Sequence, residues 1–150
     1  MKIDAHQHFW KLERGDYTWL DDSYRNLYQD YLPQDIIPSL KKHSIDKTIL
    51  VQAAATTEET DYMLGIYNQY DFVAGVVGWL DLEASDIPKQ LDAYLQKAGF
   101  IGIRPMIQDI EDVNWILKDT VIKNIQYLQS KDIPLDILIQ PRHLDNIENY

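Results

Sequence analysis

Two histidines lie two residues apart near the beginning of the chain, in the segment of residues 3–8. Side chains two residues apart in a β-strand project from the same face, so His6 and His8 can direct two imidazoles at one point. Neutral imidazole is a common ligand of zinc-like metals and also a general acid or base near neutral pH. The spacing alone also fits a hydrogen-bonded pair with a structural role.

Arg104 ends the short apolar segment 100–104, where a strand would otherwise carry apolar residues. A guanidinium presents a planar fork of donors that suits a carboxylate or a polarised carbonyl. At the C-terminal end of a parallel strand it would point over a pocket. We therefore predict that His6, His8 and Arg104 are the catalytic residues, with a salt bridge on the rim as the alternative for Arg104.

Four further side chains at predicted strand ends are candidates for substrate binding. Gln52 and Gln140 end apolar segments, where a polar amide must find partners. A sugar-like hydroxyl would serve, and a hydrogen bond within the sheet is an equally good explanation. Trp10 and Trp79 offer flat rings for stacking on a sugar-like ring, although core packing is the more common role of tryptophan. Trp19 is interpreted as structural.

Strand-like and helix-like segments alternate along the chain and would position these residues. The predicted strands are residues 2–6, 47–54, 72–80, 100–104 and 134–140. The predicted helices are residues 33–43, 57–70 (with Thr57 as its N-cap), 86–98, 114–131 and 143–150. Residues 9–32 have no clean period and are predicted to form a long loop over one rim. The alternation indicates a parallel α/β sheet, either doubly wound or part of an eight-unit barrel.

Composition limits the classes of partner. The net charge of −10 makes nucleic acid and anionic membrane poor partners. The chain has no cysteine, which excludes disulfides and thiolate metal sites. With no apolar segment typical of a signal peptide at its beginning, the chain is expected to be cytoplasmic. At 150 residues we expect a single domain.

The sequence resembles the amidohydrolase superfamily, specifically its branch of L-fuconolactonase-like and 2-pyrone-4,6-dicarboxylate-lactonase-like proteins. The matching segments are residues 3–10, 17–20, 50–54, 59–62, 73–79, 102–104, 108–109, 115–117 and 135–139. The resemblance implies a TIM-barrel-like (β/α)8 fold, of which residues 1–150 supply the N-terminal part, about five of eight units. Self-association through the open edge of the sheet is expected if the chain is a true fragment.

The resemblance also implies a hydrolase that opens a sugar-acid lactone or a related carboxylated cyclic ester, with a small-molecule lactone as its partner. It implies at most one divalent, zinc-like metal at His6 and His8, weakly held or absent. Branches that bind two metals use a lysine on strand four, where this sequence has Arg104. The water-activating base is expected outside this chain, so the isolated chain is expected to be inactive. The alternatives are a metal-dependent decarboxylase or hydratase of the same superfamily, and a non-catalytic fragment that associates through its sheet edge.

Overall fold

Four parallel strands form the centre of the molecule, and the computed structural model describes residues 1–148. The strands are β1 (Ile3–Gln7), β2 (Lys47–Val51), β3 (Val73–Gly78) and β4 (Phe100–Ile103). Each strand pairs with the next one along the chain, which gives the order β1-β2-β3-β4. In doubly wound sheets the spatial order of the strands reverses at a switch point. In barrels each new strand is added next to the preceding one, always on the same side. The observed order therefore favours the barrel alternative.

Within residues 1–148, five α-helices accompany the sheet. They are α1 (Pro33–His43), α2 (Thr57–Gln69), α3 (Ile87–Leu95), α4 (Asp119–Ser130) and α5 (Leu144–Glu148). The first helix matches its predicted bounds. It begins with a proline, which suits the first helical turn, and ends where Ser44 adopts a left-handed φ of 52°. The predicted last helix extends to residues 149 and 150, which lie outside the described residues.

The prediction of a fifth strand over residues 134–140 is wrong. This segment makes one isolated parallel bridge to β4, between Ile103 and Leu135, and residues 134–140 form no strand. The backbone N–H of Arg104 donates to the carbonyl oxygen of Gly78 in β3, on the opposite side of β4. The next residue, Pro105, has no N–H to donate. A ladder along this side of β4 therefore stops after its first pair.

Two helix predictions also need correction. The predicted helix 114–131 is broken at Lys118, which is extended, so that the short 3-10 turn Trp115–Leu117 precedes α4. The N-cap of α2 is Thr56 and not Thr57, because the Thr56 side chain accepts the backbone N–H of Glu59 at 3.1 Å.

The main core lies between the sheet and the helices, and a second apolar cluster lies over the C-terminal ends of the strands. The second cluster consists of Trp10, Tyr17, Leu20, Ala53 and Ala54. Much of it comes from residues 9–32, which form a loop as predicted, with two short 3-10 turns at Leu12–Arg14 and Asp22–Tyr24. An antiparallel bridge between Trp10 and Tyr31 closes this loop. Within residues 1–148, no helix is long and apolar enough to cross a membrane.

Candidate active site

The two predicted histidines direct their rings to one point at the C-terminal end of β1. Their Nε2 atoms are 2.9 Å apart, and the ring planes are nearly perpendicular, at 76°. His6 is exposed, whereas His8 is partly buried. The His8 Nδ1 atom lies 2.8 Å from the carbonyl oxygen of Val51, the last residue of β2. The neighbouring strand therefore fixes the orientation of one imidazole of the pair.

The hydrogen positions on the two rings follow from their surroundings. A carbonyl only accepts, so His8 carries its hydrogen on Nδ1 and a lone pair on Nε2. Burial lowers the pKa of His8 to about 4, which keeps the ring neutral at neutral pH. The Nε2 atom of His6 faces this lone pair and also lies 3.2 Å from Nη1 of Arg104. Since one nitrogen cannot donate to the first and accept from the second, one of these contacts is unsatisfied in either tautomer.

Arg104 directly follows β4 and is almost fully buried, with 4% of its surface exposed. Its Nη2 donates to the carbonyl oxygen of Gln52, and the Gln52 Nε2 donates to the carbonyl oxygen of Arg104 at 2.8 Å. Its backbone N–H donates to Gly78 at the end of β3. The two residues therefore brace each other across the end of the intervening strand, which holds Nη1 against His6.

The guanidinium of Arg104 is poorly compensated for a buried charge. Its Nε has no hydrogen-bond partner within residues 1–148, and neither does the Oε1 of Gln52. Burial lowers the pKa of Arg104, and the negative charge of Asp136 acts in the opposite direction. An arginine remains cationic under these conditions. This charge is therefore available to stabilise a negative charge on a bound molecule.

A cavity of about 330 Å³ opens beside these groups. It is lined by His8, Trp10, Trp19, Ala53, Arg104, Met106, Gln108 and Leu138. A second cavity of about 290 Å³ shares Trp19, Ala53 and Met106 with the first. Two of the predicted catalytic residues, His8 and Arg104, thus line a space large enough for a small ring, and His6 contacts both of them.

The predicted substrate-binding residues have different positions. Trp10 lines the first cavity, and Trp79 lines the second. Gln52 is completely buried and contacts Arg104. Gln140 is exposed, precedes the short turn Pro141–His143, and is not among the residues that line either cavity. The structure therefore brings Trp10 and Gln52 to the histidines and Arg104, and leaves Gln140 apart.

Two residues near the site have roles that the sequence reasoning missed. Trp19, interpreted as structural, lines both cavities, and its indole N–H donates to the carbonyl oxygen of Ala53 at 2.8 Å. Glu59 is completely buried directly behind Ala53, whose N–H it accepts at 3.1 Å. The sequence signal that could have indicated a role for Glu59 is its position in the first turn of a helix that follows a strand. An exposed acid at a helix N-terminus has the same pattern.

The imidazole pair fits a zinc-like metal in ligand type. A divalent cation would accept both Nε2 lone pairs and remove the unsatisfied contact between the rings. Within residues 1–148, no group of three or more His, Asp or Glu side chains is arranged to hold a metal. A metal bound here would therefore take only two protein ligands from the described part of the chain, which is half of a tetrahedral set.

The chain is similar to known proteins of one family. Residues 3–147 match the family model described as Amidohydrolase. The chain is 38% identical over 143 residues to an L-fucono-1,5-lactonase of Burkholderia ambifaria, a match that covers 95% of this chain and 49% of the relative. The chain spans about half the length of the curated relatives that it matches.

Solved structures give the same result. An amidohydrolase from Burkholderia multivorans, crystallised with bound Zn, matches with a TM-score of 0.92 at 30% identity, over 99% of this chain and 52% of that chain. A probable 2-pyrone-4,6-dicarboxylic acid hydrolase from Acinetobacter baumannii matches at 16% identity with a TM-score of 0.69, over 99% of this chain and 55% of that chain. The latter likeness shows the fold alone. The predicted resemblance to the lactone-hydrolase branch and the predicted partial-barrel α/β fold are confirmed, and the chain belongs to the amidohydrolase family.

Proposed function

We propose that the protein carrying this chain hydrolyses a lactone of a sugar acid or a related carboxylated cyclic ester. The observation that carries the proposal is that His6 contacts His8 at 2.9 Å and Arg104 at 3.2 Å, while His8 and Arg104 line one cavity. The similarity to L-fucono-1,5-lactonases supports the same reaction class. The substrate is then a small ring that enters between the imidazole pair and the tryptophans of the cavity wall.

In this reaction water attacks the ester carbonyl, and negative charge develops on the carbonyl oxygen. The acyl C–O bond of the ring then breaks, and the ring oxygen leaves as a hydroxyl with a proton that the water has lost. Arg104 stabilises this charge, because its buried guanidinium is held by Gln52 and has an Nε without a partner in residues 1–148. The neutral His8 offers an unprotonated Nε2 that accepts a hydrogen bond from the attacking water and does not serve as its base. The cavity wall is partly apolar, with Leu138 and Met106 among its residues. This wall reduces the access of bulk water to the reacting groups.

We propose that a divalent, zinc-like cation, when bound, is held by His6 and His8. It would supply Lewis-acid polarisation of the ester carbonyl. The further ligands, and the base that activates the water, come from outside this chain. We therefore expect the isolated 150-residue chain to have no lactonase activity.

The test compares this chain with a chimera. In the chimera, residues 1–150 are followed by the part of the Burkholderia ambifaria lactonase that lies beyond the match. We expect the chimera to hydrolyse L-fucono-1,5-lactone in a pH-stat assay and the isolated chain not to. His6→Ala and His8→Ala should each lower kcat/KM about 100-fold or more, as expected for loss of an acid–base group or ligand.

His43→Ala is the matched control. His43 lies at the end of α1, is exposed, and is not a lining residue of either cavity. Its replacement should leave kcat/KM within about twofold. Wild-type turnover by the double variant of His6 and His8, or lactonase turnover by the isolated chain, would contradict the proposal.

A further inference from the structure

A buried polar cluster lies behind the candidate active site and outside its cavity. It consists of Arg14, Asp16 and Tyr17 from the loop of residues 9–32, and Glu59 from the first turn of α2. Glu59 is the centre of the cluster and has none of its surface exposed. A carboxylate in such a position must be compensated by hydrogen-bond donors or by an opposite charge.

Both carboxylate oxygens of Glu59 are occupied. One accepts the backbone N–H of Ala53 at 3.1 Å. The other accepts the hydroxyl of Tyr17 at 2.9 Å and lies 3.2 Å from the guanidinium of Arg14. The same guanidinium pairs with Asp16 at 2.5 Å. Glu59 therefore joins α2 both to the segment that follows β2 and to the long loop.

This cluster contacts the cavity wall directly, through Ala53. The backbone N–H of Ala53 donates to the Glu59 carboxylate, and the carbonyl oxygen of Ala53 accepts the indole N–H of Trp19 at 2.8 Å. Ala53 and Trp19 both line the cavity beside the histidines. Trp19 in turn packs edge-on against Trp10, another lining residue, with ring centroids 5.8 Å apart. A shift of the Glu59 carboxylate would therefore be transmitted to three wall residues.

Stability alone does not explain a charged cluster at this place. Burying ionic groups costs desolvation free energy, and well-packed apolar side chains of similar volume are often as stabilising or more so. What an apolar side chain cannot supply is directional contact with one backbone N–H, one hydroxyl and one guanidinium at once. These contacts join segments 42 residues apart (Tyr17 to Glu59) in a single arrangement.

We infer that Glu59 is a positioning residue of the active site: its carboxylate holds Ala53 and the loop of residues 9–32 so that Trp19 forms one wall of the substrate cavity. Glu59 does not touch the cavity and acts on the substrate through Ala53, Tyr17 and Trp19. The kinetic part of this inference rests on the proposed lactonase function. The structural part concerns Trp19 and does not depend on any activity.

The structural test uses the 150-residue chain itself. Trp19 fluorescence is isolated as the difference between the chain and its Trp19→Phe variant, and its accessibility is measured by acrylamide quenching. Glu59→Gln should raise the quenching constant of Trp19 about twofold or more. Glu58→Gln is the matched control, since Glu58 is the preceding residue in the same helical turn and is exposed. It should leave the constant unchanged.

Tyr17→Phe covers the case in which Glu59→Gln fails to fold. It removes one donor from the carboxylate and keeps the ring. We expect a smaller increase of Trp19 quenching in the same direction. Unchanged quenching in folded Glu59→Gln, or in Tyr17→Phe if the former does not fold, would overturn the inference.

The kinetic test uses the lactonase chimera described above. Because Glu59 contacts neither histidine nor Arg104, Glu59→Gln should raise KM about tenfold and change kcat by less than about threefold. A loss of kcat at unchanged KM would overturn the positioning role. Absence of turnover in the unsubstituted chimera would instead contradict the proposed function, and the quenching result would then decide this inference alone.

Discussion

Glu59 is a single residue whose charge state depends on the folding of the chain around it. Burial raises its pKa to about 7, and this effect outweighs the Ala53 N–H, the Tyr17 hydroxyl and the Arg14 guanidinium, all of which favour the ionised form. Asp16 competes for the same guanidinium and adds to the increase. The folded chain therefore binds a proton on Glu59 over a pH range in which the unfolded chain has released it.

The pH dependence of stability should report this difference. An acid whose pKa is raised on folding contributes its full stabilisation below its ordinary value of 4.5, and loses it as pH rises through about 7. We expect Glu59→Gln to remove this loss, which amounts to about 3 kcal/mol of unfolding free energy. Urea unfolding of both chains at a series of pH values from 4.5 to 8 measures it. If the unfolding free energy of the two chains changed with pH in the same way, the expectation would be contradicted.

The site residues differ in how far the sequence could predict them. The convergence of His6 and His8 follows from strand periodicity, and Arg104 lies at the end of β4 as expected. The mutual contact of Gln52 and Arg104 depends on the register of three strands, which periodicity does not fix. Glu59 has the pattern of a solvated acid at a helix N-terminus, and only the loop that folds over it makes it buried.

At the scale of elements, the packing of α2 on β3 positions the ends of two strands. The hydroxyl of Thr60 accepts the backbone N–H of Trp79 at 2.9 Å and donates to its carbonyl oxygen at 3.1 Å. This contact requires a glycine at position 78, because a Cβ there would lie 2.5 Å from the Cγ2 of Thr60. Thr60 follows Glu59 in the chain, so two successive residues of one helical turn hold the segments after β2 and β3.

Two glycine substitutions test this contact with a matched control. Gly78→Ala should destabilise the chain by about 1–3 kcal/mol, because Thr60 or β3 must shift. Gly65→Ala on the same helix meets nothing within 4 Å and should stabilise it by about 0.5–1 kcal/mol through helix propensity. Urea unfolding measures both changes. A Gly78→Ala chain as stable as the wild type would show that helix and strand are not in close contact here.

At the scale of the whole molecule, the alternation of strands and helices predicted a parallel sheet but left its architecture open. The strand order β1-β2-β3-β4 and the TM-score of 0.92 to the Burkholderia multivorans amidohydrolase settle it in favour of the barrel type. The fifth strand was overpredicted because an apolar segment indicates burial but does not guarantee a paired neighbour. Both architectures place candidate sites at the C-terminal ends of the strands, so the predicted position of the site did not depend on that choice.

The proposed function requires that the imidazole pair and the guanidinium act on the same bound molecule. The most direct test is a crystal structure of the chimera with L-fuconate, the hydrolysis product of L-fucono-1,5-lactone. We expect density for the product carboxylate within hydrogen-bond distance of Arg104 and of the His6 Nε2, with the rest of the molecule in the cavity against Trp19. Density confined to the second cavity beside Trp79, with no contact to Arg104 or the histidines, would contradict it.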